Sequence, residues 1–265
     1  MTGDPLMTDL DHRPPRVADA AAAAEFAEAA GGLLLRLRAD AGTALDDAER
    51  AALRDRGDAR SHDELIRLIG ARFPGDAVLS EEGADDRARL HAERVWIVDP
   101  LDGTREYGEP PRTDWAVHVA LVEHGELVAG AVALPGLGVT CSSAEHPDPL
   151  AVPPPSSPRI LVSRTRRPAP ILRLAEPLGG TLVEMGSAGA KAMAVVRGDA
   201  EVYAHVGGQY EWDSAAPVAV AQAAGLHVSR IDGSPLHYNR PDPQLPDLLI
   251  CRPELAARTL EVLAR

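Results

Sequence analysis

In Asp99-Pro100-Leu101-Asp102-Gly103-Thr104, two carboxylates flank a proline directly after the apolar run Val95-Trp96-Ile97-Val98. Pro100 predicts a sharp turn at a strand end, where Asp99 and Asp102 can converge on one point. The Leu101 carbonyl, released from the strand ladder, would then be a third oxygen donor. Donors that are all oxygen select Mg²⁺, with Mn²⁺ able to substitute, over Zn²⁺. Gly103 permits close backbone approach, and the amides of Gly103, Thr104 and Arg105 could receive a phosphate at a nascent helix start. Turns of this composition also occur without any chemistry. Two further acidic segments give the turn its meaning, Ser80-Glu81-Glu82 and Trp212-Asp213. Read singly, the first is a solvated acidic turn and Asp213 a helix N-cap.

These carboxylates need elements that deliver them to one place. Residues 1–16, rich in Asp and Pro, read as a flexible tail. From 17 to 40 an Ala-rich, helix-period pattern predicts a long packed helix, with Gly31-Gly32 letting another backbone approach. A polar, mobile stretch over 40–58 leads into a second helix over about 59–73, which stops before Pro74-Gly75. Runs 77–82 and 94–100 read as buried strands that bring Glu81 and Asp99 to one sheet edge. Residues 115–135 read as a hairpin turning at Glu123-His124-Gly125. The Pro-rich stretch 148–158 separates an α+β part (17–155) from an α/β part (156–265). In the second part, strands at 159–164, 181–185, 200–206 and 247–252 alternate with helices at 168–179, 189–198, 212–225 and 253–264. The expected architecture is a layered α/β sandwich with its site at the junction of the two parts.

Composition narrows the partners. With 265 residues, 45% of them hydrophobic, the chain can bury a large core, and with 3% aromatic residues that core is mostly aliphatic. A net charge of −13 argues against nucleic acid polymers and anionic membranes. A small phosphorylated metabolite remains compatible, because local cations can reverse the field. The sequence shows neither a bilayer-length apolar run nor a signal peptide, so a cytoplasmic protein is expected. Cys141 and Cys251 read as reduced packing residues, and none of the nine His residues has a metal-ligand spacing.

Taken together, Ser80-Glu81-Glu82, the run from Asp99 to Tyr107, and Glu211-Trp212-Asp213-Ser214-Ala215-Ala216 resemble the inositol monophosphatase superfamily of Mg²⁺-dependent, lithium-sensitive phosphatases. The resemblance runs from about residue 17 to the C-terminus. It implies a layered αβαβα sandwich and two or three Mg²⁺ ions held by Glu81, Asp99, the Leu101 carbonyl, Asp102 and Asp213. It implies a phosphate at Gly103, Thr104 and Arg105, with Glu81, Leu101, Asp102 and Asp213 also near the substrate. Asp58 stands at the family's spacing before Glu81, which implies a water-activating pair with Thr104. The family's Pro-Val-Thr-like run is replaced here by Ala52-Leu53-Arg54-Asp55-Arg56-Gly57, and a helix N-cap is the alternative reading of Asp58 by residue type.

Residues 186–217 and Ser163-Arg164 are similar to the CysQ-type branch of 3'(2'),5'-bisphosphate nucleotidases. That likeness implies that Ser187 and Lys191 approach a nucleotide and that Ser163 and Arg164 lie near the same pocket. Lys191 or Arg164 would clamp a second phosphate. On residue type alone, Lys191 also reads as a solvent-facing lysine and 164–167 as a solvated basic run. His205 stands where several relatives carry Arg. The implied substrate is 3'-phosphoadenosine 5'-phosphate, or its sulfated form, acted on in sulfate assimilation by a monomer or homodimer through metal-activated water. Alternatives are an inositol-1-phosphate or fructose-1,6-bisphosphate phosphatase, and a non-catalytic phosphometabolite-binding protein.

Overall fold

Apolar residues recur three and four apart from Ala20 to Leu34, and this stripe gives helix α1 (Val17–Ala41) one buried face. The computed structural model describes residues 17–264, so the tail expected over 1–16 lies outside it. Helix α2 (Asp47–Arg72) begins well before 59, and most of the stretch read as mobile is helical. Asp46 and Glu49 close a capping box, each side chain accepting the other's amide at 2.8 Å, which stabilises the start by about 1 kcal/mol. The buried residues of α2 (Leu53, Gly57, Ser61, Leu65, Ile69) fall four apart, a stripe too narrow to register in so polar a window.

Two five-stranded sheets follow in sequence. The first joins β1 (Ala77–Ser80), β2 (Arg94–Asp102), β3 (Ala116–Glu123), β4 (Glu126–Leu134) and β5 (Val139–Ser142) in that order. β1 and β2 are parallel and the rest antiparallel. His124 and Gly125, both at positive φ, make the tight turn between β3 and β4. The second sheet has the order β7 (Thr181–Met185), β6 (Arg159–Ser163), β8 (Val202–Tyr210), β10 (Gln244–Cys251), β9 (His227–Ser229). β5 and β9 are strands beyond those the pattern predicts; edge strands of four and three residues are too short to show an alternation.

The helices complete five layers. α1 and α2 cover one face of the first sheet through Phe26, Leu34, Trp96 and Leu121. Between the sheets lie α6 (Ala188–Val196) and α7 (Glu211–Ala223), in one continuous core with Ile97 and Val132 of the first sheet and Tyr203 and Ile250 of the second. α4 (Ala169–Leu172), α5 (Ala175–Leu178) and α8 (Pro253–Leu263) cover the outer face. The single helix expected over 168–179 is thus two turns, because Pro177 has no N–H to offer the Arg173 carbonyl. Gly31 makes room for the Pro135 side chain rather than for backbone, and Gly32 meets only the Arg36 guanidinium. Among the described residues, no helix is long and apolar enough to cross a membrane.

Candidate active site

Parallel pairing sets Ser80 beside Val98, so Glu81, just past β1, and Asp99 of β2 stand at the same end of the pair. The pairing of β2 with β3 then slips between Asp99 and Asp102, and the turn expected at Pro100 is a bulge within the strand. Leu101 donates its amide to Asp99 Oδ1 at 3.0 Å, and Ser61 of α2 donates its hydroxyl to the Pro100 carbonyl at 2.6 Å. Gly103 leaves the strand at φ +82, a left-handed geometry suited to glycine, and the short helix α3 (Thr104–Tyr107) starts there.

Asp213 arrives on the first turn of α7, where its Oδ2 accepts the Tyr210 amide at 2.6 Å. It acts as a helix cap and also joins an acid cluster, in which ligand oxygens of Asp99, Asp102 and Asp213 lie within 4.8 Å of one another. Glu81 stands beside this cluster, close enough for the charges of Asp213 and Asp102 to act on it, but is not one of the three whose oxygens meet. At such spacing two carboxylates repel by about 3–4 kcal/mol even at an effective dielectric constant of 20. Burial, then repulsion from Glu81, Asp102 and Asp213, pushes Asp99 well above the usual carboxylate range. Glu81 keeps an exposed side, yet desolvation of its carboxyl and the charge of Asp213 raise it to about 7. Burial and Asp102 raise Asp213 to about 6.

Asp102 behaves differently. Burial opposes its ionisation, but His118 and Ser187 hold it below its ordinary value. It accepts the Ser187 hydroxyl and the amides of Ala188 (3.1 Å) and Gly189 (2.6 Å) at the start of α6. A set of oxygen donors with more acid than it can keep ionised fits a hard divalent cation.

Asp58 lies in mid-helix, not at an N-cap. Its neighbour Gly57 has no Cβ, which would stand 2.7 Å from the Tyr107 ring, so α2 can approach α3. The Asp58 carboxylate meets the Thr104 hydroxyl, which itself donates to the Leu101 carbonyl at 3.0 Å. Burial and then Glu82 raise Asp58 to about 7.

Beside the acids, a cavity of about 210 Å³ opens against β6, α6 and β8, and Asp102 and Asp213 belong to its wall. Ser163, Ser187, Lys191 and His205 also line it. Lys191 is buried rather than solvent-facing: its ammonium donates to the Gly186 carbonyl (3.0 Å) and the Ser187 carbonyl, and lies 5.3 Å from the Tyr203 ring centre. Burial lowers it to about 8. Those bonds help to hold Ser187 at φ +45, a strain of about 1–3 kcal/mol. Burial, together with Lys191 and Arg166, lowers the His205 pKa, and its Nε2 lies 2.8 Å from the Gly208 carbonyl oxygen.

Of the expected substrate contacts, Glu81, Leu101, Gly103, Thr104, Arg105 and Arg164 are not among the residues that line the cavity. Arg164 pairs with Glu106 at 2.5 Å and Glu109 at 2.7 Å, away from the cavity lining, because those acids on the turn after Thr104 face it directly. Arg105 is exposed and also absent from the lining. Arg166 lines the cavity in place of Arg164, on a loop where Ser163 Oγ accepts its amide at 3.1 Å. Beyond the expected contacts, Arg166, which by residue type reads as part of a solvated basic run, and Tyr203 line the cavity, and His118 lies against Asp102. A basic residue two beyond Arg164 was visible, as was a lone His within an apolar strand, but their directions depend on loop and register.

Residues 16–264 match the inositol monophosphatase family. A protein named 3'-phosphoadenosine 5'-phosphate phosphatase from Mycobacterium leprae (strain TN) is 51% identical over 256 residues, spanning 92% of this chain and 93% of its own. The 3'(2'),5'-bisphosphate nucleotidase CysQ of Escherichia coli (strain K12) is 32% identical over 191 residues, 68% of this chain and 77% of its own. The crystal structure of CysQ from Bacteroides thetaiotaomicron superposes with a TM-score of 0.73 at 26% identity, covering 89% of this chain and 98% of that one. With this match over nearly its whole length, the chain belongs to the inositol monophosphatase family.

Proposed function

We propose that this chain is a Mg²⁺-dependent phosphomonoesterase that removes the 3'-phosphate of 3'-phosphoadenosine 5'-phosphate, and of its sulfated form, in the cytoplasm, as a monomer or homodimer. The observation that carries this reading is that Asp102 and Asp213 serve two places at once, the acid cluster and the wall of a cavity holding Lys191 and Arg166. The names of the 51% and 32% identical relatives support the choice of ester. So does the apolar side of the cavity, formed by Val162, Ile171, Ala204 and Val206. A nucleobase buries favourably there, whereas an inositol ring offers hydroxyls on every side.

Glu81, Asp99 and the Leu101 carbonyl would hold one Mg²⁺, and Asp99, Asp102 and Asp213 a second. When bound, the ions acidify water and offset charge on the phosphate. The chain's own groups do the rest. Thr104 orients the attacking water and the Asp58 carboxylate takes its proton, a task suited to a carboxyl lifted toward neutrality. We assign the transferred phosphate to the Gly103-Thr104 turn, and the second phosphate to Lys191 and Arg166.

The test is phosphate release from 3'-phosphoadenosine 5'-phosphate, inositol-1-phosphate and fructose-1,6-bisphosphate, with and without Mg²⁺. The nucleotide should have the highest kcat/KM, and only with metal. A tenfold preference for either other ester would reject the substrate, and calorimetric binding without turnover would make the chain a phosphometabolite-binding protein.

A further inference from the structure

We propose that His118 is a positioning residue of the metal-binding aspartates, an inference that rests on the metal-centre reading above. His118 sits in mid-β3, directly opposite Asp99 in the antiparallel register, so both side chains project from the same face of the sheet. Its ring is wholly buried. Nδ1 lies 2.9 Å from the carbonyl oxygen of Trp212, the residue before Asp213, and 3.9 Å from Asp99 Oδ2. Nε2 lies 3.2 Å from Asp102 Oδ2, off the line of a good hydrogen bond, and has no other partner among the described residues. One imidazole therefore touches both aspartates of β2 and the backbone that carries the third.

The start of α6 is cut to fit this ring. A Cβ at Gly189 would stand 2.0 Å from His118 Nε2, so any side chain there must displace it. Gly189 also donates its amide to Asp102 Oδ2 at 2.6 Å, which places ring and helix start on the same carboxylate oxygen. Three segments distant in sequence meet on His118: the end of β2, the start of α6 and the start of α7. In this arrangement the ring fixes how Asp102 and the Trp212-Asp213 backbone present their oxygens to a cation, as groups behind metal ligands do. The nominated ligands supply charge; His118 supplies their spacing.

The experiment is a calorimetric Mg²⁺ titration of wild type, H118A, H118N and H118Q at one pH, with melting temperatures of the metal-free proteins and kcat and KM at saturating and limiting Mg²⁺. H118A should bind Mg²⁺ about tenfold or more weakly. Its activity should fall chiefly at limiting metal, with the substrate KM at saturating metal little changed. Gln places an amide near Nε2 and should restore most of the affinity. Asn reaches only the Nδ1 position, so it should restore melting temperature and not affinity.

Equal Mg²⁺ affinity in H118A and wild type would overturn the proposal. So would equal losses in all three variants, because the ring would then be filling space. If H118A does not fold, G189A tests the same point with the ring present: its backbone suits alanine, the added methyl must shift the imidazole, and unchanged Mg²⁺ affinity would again overturn it. A wild type that binds no Mg²⁺ would instead remove the metal-centre reading beneath it.

Discussion

At the end of β2, the acids crowd more closely than they can stay ionised. Across Asp102 and Asp213, the cavity is instead lined by apolar side chains and two cations, of which Lys191 already donates to the Gly186 and Ser187 carbonyls. One side holds unfavourable charge that an added cation relieves; the other is organised before anything binds. The first side should therefore govern rate and metal dependence, and the second should govern which ester is accepted. Asp102 and Asp213 face both, so they alone should affect both.

The sharpest way to break this division is Asp99→Asn. Losing the acid shared by both assigned ion positions should cut Mg²⁺-dependent phosphate release by roughly 10³-fold, about 4 kcal/mol of transition-state stabilisation. Full turnover in a phosphate-release assay would remove Asp99 from the metal centre. Next in size, Asp58→Asn should lower kcat by about 10²-fold while KM for the nucleotide holds, as expected for a lost proton acceptor. A rise in KM alone would move Asp58 from chemistry to binding.

The cavity side is probed by two neighbouring arginines. Arg166→Ala should raise KM about tenfold for the bisphosphate but little for 3'-AMP, the loss of one charged hydrogen bond. Arg164→Ala should lower the melting temperature, because its partners are Glu106 and Glu109, and leave the bisphosphate-to-monophosphate KM ratio unchanged. The reverse pattern in steady-state kinetics would return the anion clamp to Arg164.

The smallest expected effect is in the metal-free protein's response to pH. Asp58 and Glu81 at about 7 and Asp213 at about 6 are raised above their unfolded values of about 4, chiefly by burial. The folded state thus holds extra protons, and the stability this gives is fully present below about pH 4 and lost as pH rises through 6 to 7. Asp102, with its depressed value, acts only at the acid end. Melting temperature without metal should fall between pH 5 and pH 8, and added Mg²⁺ should raise it more at pH 8. A rise without metal over that range would mean that the acids do not repel one another as described.

The same contrast explains what the sequence disclosed. Asp99, Asp102, Gly103 and Thr104 are contiguous, and Glu81 follows the adjacent parallel strand, so local spacing and strand order were enough to group them. Asp213 needed only a helix start. The cavity depends on which way a loop turns: Arg164 and Arg166 differ by two positions, and the Ser163 hydroxyl bound to the Arg166 amide helps set their directions. The capping box of Asp46 and Glu49 was legible in principle, but the polarity of residues 40–58 hid the helix that carries Asp58. His118 depended on hairpin register, which a pattern of apolar residues gives only to within a residue or two.

Helices α6 and α7 are sealed between the sheets within one core. Neither sheet can melt without exposing that layer, so heat should take the chain apart in one calorimetric transition, with van't Hoff and calorimetric enthalpies in agreement. Because α7 carries Asp213 and α6 grips Asp102, that transition would also be the point at which the ion is released.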